Sequence, residues 1–585
     1  MVSEKYYSDP FYKVVPTRFG DEVIDVIYRK LRKPMSRADQ DALPPEKRDM
    51  FSFVADFNQR IFEPEPGIIC HQDVAVPLRD GTKIYVDIYL PKDAGPVPII
   101  GSWSPFGKRP GDGFDEWQLM GVPPRTVSKM SKFESADPGY WCRHGYGIAN
   151  IDPRGIGHSE GDAVFMGTQE GRDGYDFVEW CAQQPWCDGK VGLFGNSGVG
   201  MAQLRIAAEC PPHLVCIAPW EATGDMYRES FREGGIPGKY AESVIGMAAG
   251  NGYIEDPLAM AEEYPTMNAY WEDKIPQFSK VRIPTYYTAC WNHFHVIGSF
   301  EGFRGIRSRQ KWMRAHREFE WPDTYNFYNI QELRGFFDRY LKNINNGFEF
   351  VPRVRLEVMD AYTYDYQINR PEKEFPLQRT QYKKLYLNAE TMTMQDTPPT
   401  TEATVSYDGN TQELVFDYTF TEETEITGYM SLKFFASVQG HDDADFFFAV
   451  KKIGEGGREL PIHVLGEPHP GAWAKQRLSM RKLDPVKSKP HKPVLTFDTI
   501  EKLAEGEVAE VFIPFVPYSC IWHKGETLRL QVSGRYLRDE GWFERLQWVT
   551  DNKGLQVLHT GGQYAGYLQI PVIPPRYQSF DYVMR

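Results

Sequence analysis

The sequence predicts a doubly wound, mostly parallel α/β sheet with a helical cap insertion, followed by a C-terminal β-sandwich of jelly-roll type. Between about residues 96 and 291, short apolar runs of buried-strand length alternate with amphipathic stretches, as in a parallel sheet. Within this region, about residues 222–280 are helix-like and too long for a simple crossover, so they predict a cap. From residue 351, short alternating strands without helices predict the sandwich.

These patterns divide the chain into an N-terminal extension over residues 1–65, the α/β domain over 66–350 and the sandwich over 351–585. In the extension, DEVIDVIYRKLRK (residues 21–33) has a helix-like pattern, so we expect it to be partly helical. The globular part opens with a predicted hairpin, because DVAVPLRDGTKIYVDIYLP alternates apolar and polar residues around Asp80-Gly81. Asp-Gly supplies the positive φ that a tight turn needs.

Charge and hydropathy narrow the range of partners. The chain has 66 basic and 80 acidic residues, a formal charge of −14, and no stretch that concentrates Lys and Arg, which argues against nucleic acid. No apolar run reaches the length of a membrane span, and the first residues lack the apolar core of a signal peptide. We therefore expect a cytoplasmic protein that acts on a small molecule without membrane contact. Homo-oligomerisation is left open.

The cysteine and histidine spacing indicates neither a metal nor a cofactor. Eight scattered cysteines without CxxC spacing predict free thiols. A zinc site needs closely spaced Cys or His ligands, and the tight histidine pair here is His293 and His295.

The most informative segment is KVGLFGNSGVG (residues 190–200), where an apolar strand runs through a Gly-rich turn into a helix. A serine at such a turn, Ser197, is typical of an exposed nucleophile, and the Gly198 amide at the helix N-terminus can stabilise an oxyanion. Position 199 is Val, so the strict G-x-S-x-G pattern is not met. Such a turn is also common as a structural or phosphate-binding junction.

The segments around this turn resemble those of a known family. Upstream lie DPRGIGHSEG (residues 152–161) and QPWCDGKVG (residues 184–192), and Gly195, Ser197 and Gly200 complete a G-x-S-x-x-G turn. In this order the motifs resemble the cocaine esterase and X-prolyl dipeptidyl peptidase family, over about residues 70–585. The resemblance implies an α/β-hydrolase domain with a helical cap, a C-terminal jelly roll and serine-dependent acyl hydrolysis.

The base and the acid depart from the family pattern. His316, in KWMRAHREFEW, is the candidate base, whereas the position of the family's catalytic aspartate, after IPTYYTACW, is occupied by His293. Three interpretations stay open: a Ser197–His316 dyad, Glu221 as a relocated acid after LVCIAPW, or His293 as the base. A lone histidine at a strand end is also common as a packing residue, and Glu221 could simply brace the cap.

The oxyanion site also departs from the family. Many members place a tyrosine hydroxyl in an S-P-Y-x-K context, where this chain has Phe106, which carries no donor. Losing one such donor typically costs a factor of about 10²–10³ in rate. Aromatic residues including Trp103, Phe106, Trp141 and Trp220 predict an apolar pocket, to which we add His295.

The leading hypothesis is acyl transfer to Ser197 from an ester, lactone or amide of a small, partly apolar substrate, with His316 as base. The alternative is a non-hydrolytic enzyme, such as a C–C bond lyase, aldolase or cyclase, in which His293, His295 or His316 acts as acid or base. A third possibility is a catalytically silent binding protein. Dipeptidyl peptidase specificity is not predicted, because no acidic pair can be assigned to a substrate amine.

Overall fold

The computed structural model describes residues 2–36, 38–39, 42–44, 56–109, 121–123, 125–537 and 548–575. The chain forms two compact units, the second of which begins at Val354 and also takes in Gly234–Ile236. In the described part of the chain, no helix combines the length and the apolar character needed to cross a membrane.

The first unit is built on a mixed sheet, in which nine strands lie within the described residues. The described strands of this unit are β1 (Tyr12–Phe19), β2 (Glu22–Lys30), β3 (Arg60–Glu65), β4 (Ile68–Pro77), β5 (Lys83–Pro91), β6 (Val97–Trp103), β7 (Gly147–Asp152), β8 (Cys187–Asn196), β9 (Leu214–Trp220), β10 (Tyr253–Glu255), β11 (Thr285–Cys290) and β12 (Lys311–His316). The large sheet has the order β3-β4-β5-β7-β6-β8-β9-β11-β12. Pairing is antiparallel from β3 to β7 and parallel from β7 to β12, which confirms the mostly parallel sheet.

Helices pack against this sheet and contribute side chains to the hydrophobic core. The described α-helices are α1 (Lys5–Ser8), α2 (Pro138–Trp141), α3 (Thr168–Ala182), α4 (Ser197–Ala208), α5 (Tyr240–Met247), α6 (Pro257–Glu263), α7 (Ala269–Asp273), α8 (Val296–Gly305), α9 (Glu320–Thr324) and α10 (Phe327–Tyr340). Gly174 lets α3 and α4 approach closely, since a Cβ there would lie 2.3 Å from Ile206 Cγ1. Along α10, Leu333, Phe336 and Phe337 enter a buried cluster beneath the sheet.

The predicted hairpin and cap are both present. β4 and β5 pair around a turn in which Gly81 has φ +87° and the Leu78 amide bonds to the Thr82 carbonyl at 2.8 Å. The cap contains α5, α6 and α7, and it also supplies the short strand β10.

The helix-like interpretation of residues 21–33 is wrong, because Glu22–Lys30 is the strand β2. It pairs with β1 through the tight turn at Gly20, which has φ +57°, and with β10 of the cap on its other side. Val26 and Ile27 in the middle of this strand are fully buried. Pairing with distant strands thus decides the conformation, and the local periodicity does not.

The second unit is all-β. Its described strands are β13 (Val354–Met359), β14 (Asp365–Glu372), β15 (Gln381–Asn388), β16 (Thr393–Gln395), β17 (Ala403–Tyr407), β18 (Glu413–Thr419), β19 (Thr424–Gly428), β20 (Ser431–Gln439), β21 (Asp445–Ile453), β22 (Ile462–Val464), β23 (Glu467–His469), β24 (Ala472–Arg477), β25 (Ala509–Pro514), β26 (Tyr518–Trp522), β27 (Thr527–Ser533), β28 (Leu555–Thr560) and β29 (Tyr567–Ile573). Buried Phe434, Phe446 and Phe448 pack against one another, with ring centroids 5.1–6.0 Å apart. The sandwich expected from the strand pattern is present.

The pairing of the N-terminal hairpin with the cap gives a stability prediction. Arg29 makes a bidentate ion pair with Asp256, at 2.6 and 3.0 Å, and the carboxylate is buried. We expect Arg29→Ala to lower the free energy of unfolding by about 3 kcal/mol, because it leaves a buried charge without its partner. Urea unfolding followed by tryptophan fluorescence measures the loss.

Arg18→Ala on the exposed edge of β1 is the matched control and should change the free energy of unfolding by less than about 0.5 kcal/mol. Equal effects of the two variants would show that the ion pair does not anchor the hairpin.

Candidate active site

Ser197 occupies a strained strand-to-helix turn. β8 ends at Asn196, α4 begins at Ser197, and Ser197 has φ +51°, a left-handed conformation that is rare for residues other than glycine. A Cβ at Gly195 would lie 2.2 Å from Val199 Cγ1, and one at Gly200 would lie 2.8 Å from the Trp220 carbonyl oxygen. The two glycines are therefore required for the turn. The serine itself is 6% exposed.

Phe106 packs against Gly198, the residue whose amide is the predicted oxyanion donor. A Cβ at Gly198 would meet Phe106 Cζ at 3.2 Å and Pro105 Cγ at 3.5 Å. Phe106 is buried, and its ring packs edge-on against Phe133. The side chain that packs against Gly198 thus cannot donate a hydrogen bond.

Two residues that the sequence did not indicate lie next to the Ser197 hydroxyl. One is Glu134, whose Oε1 accepts a hydrogen bond from Trp321 Nε1 at 3.1 Å. Burial and the neighbouring Glu320 raise the pKa of Glu134 well above its usual value, while Trp321 and Ser197 favour the charged form. The other is Tyr240, the first residue of the cap helix α5, whose pKa is raised by burial and by the two glutamates and lowered by Ser197.

Glu320 connects the turn to His293. Its carboxyl accepts hydrogen bonds from Asn196 Nδ2 at 2.8 Å and from His293 Nε2 at 3.0 Å. His293 Nδ1 accepts the His295 backbone N–H at 3.0 Å, so the ring proton is on Nε2. Burial lowers the pKa of His293 to about 3, and the ring is neutral.

His295 lies on the other side of His293 and contacts the cap. Its Nε2 is 3.1 Å from the Tyr240 hydroxyl, and burial lowers its pKa well below the usual value. Within the described residues, His293, His295 and Glu320 are the one group whose donor atoms could surround a metal ion, lying within 4.8 Å of one another. The tautomer of His293 argues against this use, because its Nε2 carries a proton and has no lone pair for a metal.

His316 and Glu221 are paired with each other. His316 Nε2 lies 2.9 Å from Glu221 Oε1, and Nδ1 lies 2.9 Å from the Glu318 carbonyl. Glu221 has φ +48° and also accepts the Cys290 N–H at 2.7 Å. Burial lowers the pKa of His316, but Asp323 and Glu221 offset this, and the net pKa is raised.

Both ring nitrogens of His316 thus donate to acceptors, which leaves an imidazolium with no lone pair for Ser197. The structure brings the predicted Glu221–His316 pair together but does not join it to the nucleophile through any hydrogen bond among the described residues. Asp323, which also lies near His316, makes a bidentate ion pair with Arg314 at 2.6 and 2.7 Å.

The predicted pocket aromatics separate into different environments. Trp141 and Trp220 belong to the buried core beneath the sheet. Trp103 donates to Glu170 at 3.2 Å and lines a cavity of about 20 Å³, the space of one or two waters. Phe106 is therefore the predicted aromatic that lies at the turn.

An elbow serine at the carboxyl edge of a mostly parallel sheet, covered by a cap, defines an α/β-hydrolase. Residues 80–259 match the sequence model of the X-Pro dipeptidyl-peptidase (S15 family), and residues 346–569 match that of the X-Pro dipeptidyl-peptidase C-terminal non-catalytic domain. A CocE/NonD family hydrolase from Staphylococcus aureus, with a known crystal structure, is 32% identical to this chain in sequence. The two structures are similar with a TM-score of 0.82, over 86% of this chain and 94% of that one. The chain belongs to this family of hydrolases, which confirms the resemblance.

Two more distant proteins are similar to this chain, one in sequence and one in fold. Cocaine esterase from Rhodococcus sp. (strain MB1 Bresler) is 26% identical over 379 residues, which make up 54% of this chain and 62% of the esterase. The match thus spans less than two thirds of that enzyme. An α-amino acid ester hydrolase shares the fold, with a TM-score of 0.63 at 17% identity over 88% of this chain and 99% of the other.

The Glu221–His316 pair predicts a pH-dependent stability. Because the pKa of His316 is raised in the folded state, the pair stabilises the protein fully below the ordinary histidine pKa of 6.5, and this contribution is lost as the pH rises through the raised value. Glu221→Gln should therefore lower the free energy of unfolding by about 3–5 kcal/mol near pH 5.5 and by less at pH 9. Urea unfolding at both pH values measures the difference.

Glu179→Gln, which removes the partner of the half-exposed His213, is the control and should cost less than about 1 kcal/mol. A loss from Glu221→Gln that is the same at both pH values would contradict a charged His316.

Proposed function

We propose that the protein is an acyl hydrolase in which Ser197 attacks an ester, lactone or amide carbonyl of a small, partly apolar substrate. The observation that carries this proposal is the left-handed turn at Ser197, whose hydroxyl is close to both the Glu134 carboxyl and the Tyr240 hydroxyl. Strain of this kind persists where the surrounding structure holds a residue in place for its chemistry.

The side chains around Ser197 suit a substrate with an apolar part. Phe106 contacts Phe133, with ring centroids 5.4 Å apart, and Phe133 contacts Trp321 at 5.8 Å. On the cap side, Tyr240 packs against Phe294 at 5.2 Å. Exclusion of water by these rings strengthens any hydrogen bond to the reacting carbonyl.

We assign the proton acceptor to His295, acting through Tyr240. The ring of His295 is neutral because burial lowers its pKa, and its Nε2 lies 3.1 Å from the Tyr240 oxygen. When the lone pair of His295 is on Nε2, the Tyr240 hydroxyl donates to that nitrogen. The Tyr240 oxygen can then accept the Ser197 proton. His316 cannot take this part in the arrangement described, since both of its nitrogens already donate.

The reaction then follows in two stages. As the Ser197 oxygen bonds to the carbonyl carbon, its proton passes to the Tyr240 oxygen, and the Tyr240 proton passes to His295 Nε2. The same path returns the proton to the leaving group, which gives an acyl-enzyme. In the second stage a water oxygen bonds to the acyl carbon while one water proton passes through Tyr240 to His295. The bond from that carbon to the Ser197 oxygen then breaks, the proton returns along the same path to Ser197, and the acid is released.

Labelling tests the nucleophile. A fluorophosphonate probe should add once to the wild-type protein, at Ser197, because attack on phosphorus resembles attack on a carbonyl. Intact mass and peptide mapping measure the product. Ser197→Ala should remain unlabelled and should lose at least about 10³-fold in p-nitrophenyl acetate hydrolysis, with its circular dichroism unchanged.

If the wild-type protein is not labelled but Ser197→Ala still converts a native substrate, the non-hydrolytic alternative with histidine acid/base chemistry is favoured. If neither protein is labelled nor active on any substrate, a binding role is favoured.

A second experiment tests the relay. Tyr240→Phe should lower kcat for p-nitrophenyl acetate by about 10²–10⁴-fold with little change in KM, because it removes the path to the base. Tyr270→Phe, at another buried cap tyrosine, is the matched control and should keep the wild-type rate. Because a base acts above its pKa and that of His295 is low, the wild-type rate should stay level as the pH falls from 8 to below 6. A rate loss centred near 6.5 would contradict His295 as the base.

A further inference from the structure

Glu134 is fixed to the nucleophile turn by its backbone. Its carbonyl accepts the Asn196 N–H at 3.3 Å, and a Cβ at Gly195 would lie 2.8 Å from the same oxygen. The residue has φ +60° and is 1% exposed. A left-handed backbone at a buried glutamate is costly, so the fold holds this carboxyl at the turn against a preference for other conformations.

One oxygen of this carboxyl lacks a donor. Oε1 accepts the Trp321 indole N–H, whereas Oε2 is buried and makes no direct hydrogen bond among the residues that the structure describes. The nearby Ser197 hydroxyl favours the charged form, but burial and Glu320 outweigh it and raise the pKa overall. A buried carboxylate oxygen without a donor is unfavourable. Protonation of Oε2 lowers this penalty, because the group is then neutral, and it turns the oxygen into a hydrogen-bond donor for a bound molecule.

The neighbouring carboxyl explains why the proton stays on Glu134. Burial raises the pKa of Glu320 as well. Of the two carboxyls, Glu320 holds a negative charge at lower cost, because it receives a donor on each oxygen, from Asn196 and His293. A second charge beside it would be repelled, and burial and Glu320 together raise the pKa of Glu134.

The other titratable groups facing Glu134 are Lys132, Tyr240 and Tyr325. Lys132 favours the charged carboxylate, but burial lowers its own pKa to about 7, so this effect is weak above neutral pH. Both tyrosines have raised pKa values and stay neutral.

We propose that Glu134 is a catalytic residue which, as a neutral carboxylic acid, donates a hydrogen bond to the substrate oxygen that becomes negative when Ser197 attacks. Phe106, whose ring packs against Gly198, has no donor and cannot form this hydrogen bond. The carbonyl π electrons move to this oxygen as the Ser197 oxygen bonds to carbon, and the Ser197 proton leaves through Tyr240. Glu134 keeps its own proton throughout. The inference rests on the proposed function.

The experiment compares Glu134→Gln and Glu134→Ala by kcat/KM for p-nitrophenyl acetate between pH 6 and 10. A glutamine amide still donates but cannot ionise, so Glu134→Gln should stay within about tenfold of wild type near pH 7, whereas Glu134→Ala should lose about 10²–10³-fold. A carboxylic acid donates only below its pKa. The wild-type rate should therefore fall as the pH rises through the pKa of Glu134, and Glu134→Gln should lack that fall.

Glu170→Gln is the matched control, because Glu170 is also buried, accepts an indole N–H from Trp103 at 3.2 Å and has a second oxygen without a described donor. It should keep both the wild-type rate and the alkaline fall.

Two results would overturn the inference: a Glu134→Gln loss as large as that of Glu134→Ala, which would make Glu134 a proton acceptor, or an alkaline fall that persists in Glu134→Gln. Failure of the proposed function is distinguishable, since it appears as absent fluorophosphonate labelling in the wild-type protein.

Discussion

The left-handed backbone at Ser197 determines where the other groups of the site lie. Reversing the chain between β8 and α4 turns the Ser197 hydroxyl toward Glu134 and Tyr240, while the preceding Asn196 side chain reaches Glu320 at 2.8 Å. The Asn196 amide N–H also bonds to the Glu134 carbonyl. One strained turn therefore sets the position of both buried carboxyls, and relaxing it would displace the serine and its acidic neighbours together.

Charge around the site is arranged in two groups. Glu221, Asp323, His316 and Arg314 form a buried cluster with two negative and two positive side chains, in which the charges offset one another. Nearer Ser197, His293 and His295 are neutral because burial lowers their pKa values.

Local sequence was sufficient to predict those parts of the fold whose conformation depends on neighbouring residues. The Asp80-Gly81 turn, the alternation of strands and helices and the glycines around Ser197 each have a steric reason that can be stated from neighbouring residues. The helix-like prediction for residues 21–33 is wrong because this segment pairs as a strand with β1 and with the distant β10.

The contacts of the site were harder to predict for the same reason. Glu134, Tyr240 and Glu320 come from a loop, the cap and a short helix that meet only in the folded chain. No periodicity marks such residues. The left-handed φ values of Glu134 and Glu221, which indicate backbone strain, cannot be predicted from the sequence.

The strand β10 joins the cap to the start of the chain, since it adds to the hairpin formed by the first thirty residues. The Tyr240 hydroxyl belongs to that cap, whereas Ser197 begins α4 directly after the central strand β8. A substrate that enters by displacing the cap would separate these two hydroxyls, and the reactive arrangement would form again only on closure. The N-terminal hairpin then acts as a tether that sets how readily the cap returns, so residues far from the chemistry would influence turnover through the rate of closure.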